Sequence, residues 1–153
     1  MSVAGATILV EDNEDHALIA RCTLARGKEG REIVWLRDGE EALRYLVGRS
    51  AVPDGNYRPP DLILLDVDLP KVNGKEVLRR IRECAGLRAT PVVMLTTSDN
   101  RSDVAECYAL GANSYVVKPV RFEDLSLKLR AIGAYWYHTN VPDSRFANAG
   151  EQA

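Results

Sequence analysis

Five short apolar runs, each unbroken by charge, constrain this chain more than any other feature. They are Thr7-Ile8-Leu9-Val10, Ile33-Val34-Trp35-Leu36, Leu62-Ile63-Leu64-Leu65, Val92-Val93-Met94-Leu95 and Tyr115-Val116-Val117. A strand with one wet face alternates apolar and polar residues, whereas an unbroken run suits a strand covered on both faces of a parallel sheet. Between the runs lie segments with helical spacing. Leu18, Cys22 and Ala25 sit at i, i+4, i+7; Ala42, Leu43 and Leu46 form a second stripe, and Val77, Leu78 and Ile81 a third. Val104, Ala105 and Tyr108 with Leu110 give a weaker fourth. Leu125, Leu129, Ile132 and Trp136 give the fifth, at i, i+4, i+7, i+11. Gly27, Gly48, Gly86 and Gly111 lie near the expected helix ends, and Gly133 inside the last helix. The pattern is an α/β fold of five βα units, whose right-handed crossovers put helices on both faces of one sheet.

At 153 residues the chain has room for one such domain, expected over residues 1–138 with its core at 6–133 and a polar tail at 139–153. Gly48 to Pro60 holds three Pro and two Gly in thirteen residues and predicts a surface loop. Lys and Arg total 20 against 22 Asp and Glu, a net charge of −2 that disfavours direct binding to nucleic acid. No uncharged apolar run approaches the roughly 20 residues of a membrane span. Met1 to Thr7 carries no Lys or Arg and does not read as a signal peptide. Three widely spaced cysteines without a CxxC read as reduced thiols in helices, and the expected compartment is the cytoplasm.

Polar residues follow four of the runs at once. Glu11-Asp12 follow the first, Asp66 the third, Thr96-Thr97-Ser98 the fourth and Lys118-Pro119 the fifth. In an open α/β sheet, ligands bind outside the carboxyl ends of the strands, near the point where strand order reverses. Glu11, Asp12 and Asp66 are thus expected to crowd at one rim, where like charges raise one another's pKa. A hard divalent cation offsets that repulsion, and an all-oxygen site that keeps waters suits Mg2+. Asp12 or Asn13 can also cap the first helix, a role compatible with the other. Asp66 follows four aliphatic residues; a carboxylate placed there can attack phosphorus and form an aspartyl phosphate. Lys118 supplies a compact ammonium charge, and Thr96 a hydroxyl donor for a phosphoryl oxygen. In phosphoryl transfer, positioning and charge neutralisation carry most of the catalysis. Each residue alone is a weak signal, since a lone Lys after a strand is more often solvated surface; their joint placement after four strands is a strong one.

This constellation resembles the receiver domain of two-component response regulators. The resemblance rests on Glu11-Asp12, Asp66 within DVDLPKVNG, Thr96 and Lys118-Pro119, with 30 residues from Asp66 to Thr96 and 22 from Thr96 to Lys118. It covers about residues 6 to 133. It implies a flavodoxin-like, doubly wound parallel sheet in the order 2-1-3-4-5. It implies Asp66 as the phosphoacceptor, with Glu11, Asp12, Asp66 and the backbone carbonyl of Asp68 around Mg2+, and Thr96 and Lys118 on the phosphoryl group. Tyr115 matches the family's switch aromatic; its bland alternative is a strand aromatic packed at the surface. The Lys118–Pro119 peptide is implied to be cis, although X–Pro bonds in general are cis in only a few per cent of cases. Asp68, Thr97 and Ser98 stand at variable positions that flank the phosphate. The implied function is a switch, in which a sensor histidine kinase or a phosphotransfer protein passes its phosphoryl group to Asp66. It catalyses only its own phosphorylation and dephosphorylation and is not a turnover enzyme. One further helix and a short tail follow Lys118-Pro119, with no helix-turn-helix half, so the expected output is contact with another protein. The Pro-rich loop and the extended aromatic last helix resemble single-domain regulators paired with phytochrome-type histidine kinases.

The last helix carries more than one apolar stripe. Leu127, Ala131 and Ala134 make a second row, and Tyr135-Trp136-Tyr137 adds rings of the kind enriched at interfaces. A homodimer is expected through Leu125, Leu129, Ile132 and Trp136; the alternative is that the aromatics fold back onto their own domain. His16 and His138 have no metal-ligand partner at helical spacing and are expected to be solvated. Two other functions stay open. Asp66-Val67-Asp68 resembles the DxD of haloacid-dehalogenase-like phosphohydrolases, although that motif usually sits near the first strand. A receiver fold could also act as a dimerising adaptor that needs no phosphorylation.

Overall fold

The computed structural model describes residues 5–25, 32–50 and 57–143. Five parallel strands, β1 Thr7–Val10, β2 Ile33–Leu36, β3 Leu62–Leu65, β4 Val92–Thr96 and β5 Ser114–Val117, form one sheet in the order β2-β1-β3-β4-β5. The five apolar runs are these strands, lengthened by one residue at Thr96 and at Ser114. Five helices alternate with them: α1 Glu14–Ala25, α2 Gly39–Ser50, α3 Gly74–Glu83, α4 Arg101–Ala109 and α5 Phe122–Ala134. A 3-10 turn at Ala85–Leu87 follows α3, and a π-helical turn at Tyr135–Thr139 ends α5.

Strand side chains point to alternate faces. Ile8, Val10, Ile63, Leu65 and Met94 therefore share one core with Ala42, Leu46, Val77, Leu78, Ile81 and Cys107 of α2, α3 and α4. Leu9, Leu62, Leu64, Val93 and Leu95 share the other with α1 and α5. Both faces are covered, which is why the middle of every strand is apolar, and the buried Thr7 at the start of β1 has its hydroxyl paired with that of Tyr137.

The helical stripes of α3 and α5 are buried as the spacing predicts, and in α2 Ala42 and Leu46 are buried while Leu43 is half-buried. In α1 the buried residues are Ala17, Ala20 and Leu24 instead, and Leu18 is 58% exposed. In α4 the buried residue is Cys107, and Tyr108 is exposed. α2 runs on to Ser50, into the segment expected to be loop, and the Ser50 hydroxyl donates to the Val47 carbonyl at 2.9 Å. Residues 51–56 of that loop and 144–153 of the expected tail lie outside the described residues.

The expected dimer surface needs correction. Leu125, Leu129 and Ile132 are 1%, 0% and 6% exposed and pack with Leu24 and Leu64 in the chain's own core. A helix on a doubly wound sheet must use its main apolar stripe to cover that sheet. Trp136 is half-buried against the same cluster, and the Tyr137 and Thr7 hydroxyls lie 2.6 Å apart. The aromatics at the end of α5 thus fold back, while Leu127, Ala131, Ala134 and Tyr135 stay exposed.

Candidate functional site

Strand pairing carries the polar residues to one rim. Glu11 continues β1, and its N–H donates to the Leu36 carbonyl at 3.0 Å. The Trp35 indole N–H donates to the Glu11 carbonyl at 2.8 Å, with the Arg37 guanidinium 4.3 Å over the indole ring. Asp66 continues β3 and donates its N–H to the Val10 carbonyl at 3.2 Å. Lys118 continues β5 and donates its N–H to the Thr96 carbonyl at 2.7 Å. The start of α3 presses on the same backbone: a Cβ at Gly74 would lie 1.9 Å from the Asp66 carbonyl oxygen, so only glycine fits.

Lys118 Nζ is the hub. It lies 2.7 and 2.8 Å from the two Glu11 carboxylate oxygens and 3.0 Å from Asp66 Oδ2. The three side chains are 2%, 3% and 8% exposed for Lys118, Glu11 and Asp66. The other Asp66 oxygen, Oδ1, accepts the Asp68 N–H at 3.1 Å. Asp12 is exposed at the rim, and one oxygen each from Glu11, Asp12 and Asp66 lie within 4.8 Å of one another. A six-coordinate Mg2+ with oxygens at about 2.1 Å puts neighbouring ligands about 3 Å apart and opposite ones about 4.2 Å apart. The three carboxylates therefore fit a hard divalent cation. Burial pushes the Glu11 carboxyl up to about 8; the Lys118 ammonium pulls it down and the Asp66 carboxylate adds to the rise.

Thr96 is fully buried at the end of β4, and its hydroxyl oxygen accepts the Ser98 N–H at 3.3 Å. Ser98 is a junction. Its carbonyl accepts the Tyr115 hydroxyl at 2.8 Å, and its own hydroxyl donates to Asp103 Oδ2 at 2.5 Å. Asp103 in turn pairs with Lys75 of α3 at 2.5 Å. Tyr115 is thus tied to the loop that leaves Thr96. Thr97 is exposed, as is Asp68, whose contact with Asp66 is made by its backbone N–H.

Two expectations are corrected here. No peptide bond among the described residues is cis, so Lys118–Pro119 is trans, the isomer favoured by about 0.5–1 kcal/mol for an X–Pro bond. His16 is not solvated surface. Its Nδ1 lies 3.2 Å from Glu11 Oε1 and 3.2 Å from Lys118 Nζ, and its ring meets Phe122 edge-on with centroids 6.2 Å apart. Burial and then the Lys118 charge push its pKa down. The signal in the sequence is its place in the first turn of α1, which starts at the rim. Asn13 caps that turn, its Oδ1 accepting the Asp15 and His16 N–H groups at 3.0 and 3.1 Å. Leu125, Leu129 and Ile132 of α5, and Trp136 in the turn after it, belong to the core cluster shared with α1.

A doubly wound sheet with a centre of three carboxylates and one buried lysine at its carboxyl edge defines a recognisable class. The chain belongs to the response regulator receiver domain family, whose model matches residues 7–130. It is 47% identical over 135 residues, 87% of this chain and 84% of the relative, to the probable methanogenesis regulatory protein FilR2 of Methanothrix harundinacea. It is 36% identical over 132 residues, 86% of this chain and 88% of the relative, to the response regulator Rcp1 of Synechocystis. The crystal structure of Mn2+-bound Rcp1 matches with a TM-score of 0.81 over 91% of this chain and 99% of that one, at 34% identity. The crystal structure of the phosphorylated cyanobacterial phytochrome response regulator RcpA matches with a TM-score of 0.83 over 91% of this chain and 98% of that one, at 37% identity. The chain is therefore a two-component receiver domain related to phytochrome response regulators. Its acid cluster offers the ligands for a divalent cation, and no helix among the described residues is long and apolar enough to cross a membrane.

Proposed function

We propose that this chain is a phosphorylation switch with Asp66 as the acceptor. The observation that carries the reading is the buried Asp66 carboxylate, held by the Asp68 N–H on one oxygen and by Lys118 on the other, beside Glu11 and Asp12. An Asp66 oxygen attacks the phosphorus of a phosphohistidine. The P–N bond breaks, its electron pair stays on an imidazole already protonated at its other nitrogen, and an acyl phosphate forms. Glu11, Asp12, Asp66 and the Asp68 carbonyl would hold Mg2+, which would supply positive charge to the carboxylates and the phosphoryl oxygens. Lys118 turns its ammonium to a phosphoryl oxygen, and the Thr96 hydroxyl donates to another. Thr96 in the new position releases Ser98, and through Ser98 the Tyr115 hydroxyl; that differential contact is what a switch requires.

The donor is a sensor histidine kinase or a phosphotransfer protein. Similarity to Rcp1 and RcpA supports a phytochrome-type kinase. Each chain takes one phosphoryl group and loses it slowly, without turning over a small substrate. The output is contact with another protein and not with nucleic acid, in keeping with the net charge of −2. Three free cysteines fit the cytoplasm. Pairing with a second copy would use the exposed row Leu127, Ala131 and Ala134 with Tyr135, and light scattering of wild type against Leu127→Lys tests it: a monomeric wild type removes the dimer. The central test is intact mass after incubation with acetyl phosphate and Mg2+. An added phosphoryl mass that needs both Mg2+ and Asp66, and is absent in Asp66→Asn, supports the switch. A folded protein with no adduct from acetyl phosphate or a histidine kinase leaves the adaptor reading.

A further inference from the structure

We propose that His16 is a positioning residue for Lys118, the second anchor that keeps the ammonium aimed at Asp66 while Glu11 turns to the cation. The proposal rests on the phosphoryl-accepting reading above. An ammonium has three N–H donors and no acceptor. Lys118 Nζ lies within bonding distance of four atoms: Glu11 Oε1 at 2.7 Å, Glu11 Oε2 at 2.8 Å, Asp66 Oδ2 at 3.0 Å and His16 Nδ1 at 3.2 Å. The first three belong to carboxylates that the chemistry needs elsewhere. Glu11 is a cation ligand, and Asp66 supplies the oxygen that becomes the acyl phosphate. His16 Nδ1 is the acceptor among these four that neither step consumes.

The backbone that carries the ring is fixed, and one aromatic meets the ring itself. His16 is the third residue of α1, and its backbone N–H donates to the Asn13 side chain at 3.1 Å. Phe122, the first residue of α5, meets the ring at 86°. The two helix starts bracket the chain at Lys118. Nδ1 is also 3.2 Å from Glu11 Oε1, so its tautomer selects the partner. With the proton on Nδ1 it donates to Glu11; with the proton on Nε2 it accepts from Lys118. Departure of Glu11 leaves only the second arrangement useful. Lys118 reaches the site on a long flexible stem, and a fixed acceptor removes much of its freedom at the moment the phosphoryl group must be met.

Two variants separate this role from packing. His16→Phe keeps the ring and its contact with Phe122 but removes the nitrogen. His16→Asn places an amide oxygen where Nδ1 stood. The initial rate of acyl phosphate formation is followed by intact mass at saturating Mg2+ over a range of acetyl phosphate; acetate leaves with the electron pair of the broken P–O bond. The Phe variant is expected to lose about tenfold in maximal rate with its Mg2+ affinity unchanged, and the Asn variant to recover most of that loss. Wild-type rate in the Phe variant, or an Asn variant as slow as Phe, overturns the proposal. A second measurement needs no phosphoryl group. Thermal unfolding in EDTA of His16→Phe, Lys118→Met and the double variant is expected to be non-additive, because the two side chains touch; additive effects overturn the contact. If wild type accepts no phosphoryl group, the switch reading fails by itself, and this cycle still decides whether His16 holds Lys118.

Discussion

Replacing Lys118 by Met removes the one cation that Glu11 and Asp66 share. Both carboxylates are almost fully buried and both point at Nζ. Removing one partner of a buried ion pair costs about 3–5 kcal/mol, because the other charge stays behind uncompensated. For a chain of this size 1 kcal/mol moves Tm by about 2–4 °C, so Lys118→Met is expected to melt about 6–20 °C below wild type in EDTA at pH 8. Glu11 can escape by taking up a proton, which fixes the sign of the pH effect. A carboxyl with a folded pKa above its unfolded value binds protons more tightly in the folded state. The variant therefore keeps its stability in mild acid and loses it as pH rises from the unfolded value of 4.5 through the raised one. Mg2+ replaces the missing charge. Since binding stabilises by RT ln(1 + [L]/Kd), and Mg2+ need not displace Lys118 in the variant, the ion should restore more stability there than it adds to wild type. Melting curves at pH 5 and pH 8, with EDTA and then with Mg2+, decide the matter. A variant within about 1 kcal/mol of wild type at pH 8 would refute the reasoning, since the low end for a broken buried pair is about 3 kcal/mol. Equal Mg2+ stabilisation of both proteins would refute the idea that Lys118 competes with the ion.

Three further outcomes are expected. Burial raises the Glu11 carboxyl well above the usual carboxylate range, so Mg2+ binding is expected to expel a proton; affinity should fall as pH drops from 8 to 6, with proton release seen by calorimetry in two buffers, and a flat profile from pH 6 to 8 counts against it. Arg82 donates to the carbonyls of Gly111, Leu87, Arg88 and Thr90 and to the Asn113 side chain, joining α3 to the turns that precede β4 and β5. Arg82→Met should lower stability in urea by about 3 kcal/mol while leaving Mg2+ affinity alone, and a loss under about 1 kcal/mol would falsify the assignment of Arg82 as a staple. Gly74→Ala must push α3 away from the Asp66 carbonyl; about 1–3 kcal/mol of stability and a slower phosphoryl uptake should be lost together, and an unchanged melt and rate would show that the contact gives way freely.

The strands were legible because two-sided covering keeps charged residues out of them and leaves polar ones only at their ends, and the site was legible for the same reason. Glu11, Asp66, Thr96 and Lys118 each mark where a strand passes out of the core, so their polarity had a place and a direction. Helix faces were less legible. In α1 both Leu18-Cys22-Ala25 and Ala17-Ala20-Leu24 have helical spacing, and the smaller pair of alanines lies inside. Periodicity says that a face exists and not which face the sheet takes. The same limit misplaced the α5 interface: two apolar rows were visible, and the richer one is used up in the chain's own core. His16 was missed for a different reason. Its partner Lys118 is 102 residues away, and only the parallel sheet, which brings the end of β5 and the start of α1 to the same edge, puts them together.

Lys118 is where the cation and the phosphoryl group must influence each other. The centre holds more negative than positive charge, and its one ammonium is divided between Glu11 and Asp66. On the phosphoryl-accepting reading, a cation that took Glu11 would release Lys118 toward Asp66, and a phosphoryl group on Asp66 would draw Lys118 from Glu11 and leave that acid for the cation. The two events would then favour each other through a shared side chain. Linkage then requires equality: whatever factor the ion adds to the stability of the phosphorylated state, phosphorylation adds to the affinity for the ion. The Lys118 N–H is bonded to the Thr96 carbonyl at 2.7 Å, and Thr96 is followed by the Ser98 junction to Tyr115 and Asp103. A change in which acid holds Lys118 is therefore felt first at the end of β4, the place from which β5 and α4 can both be moved.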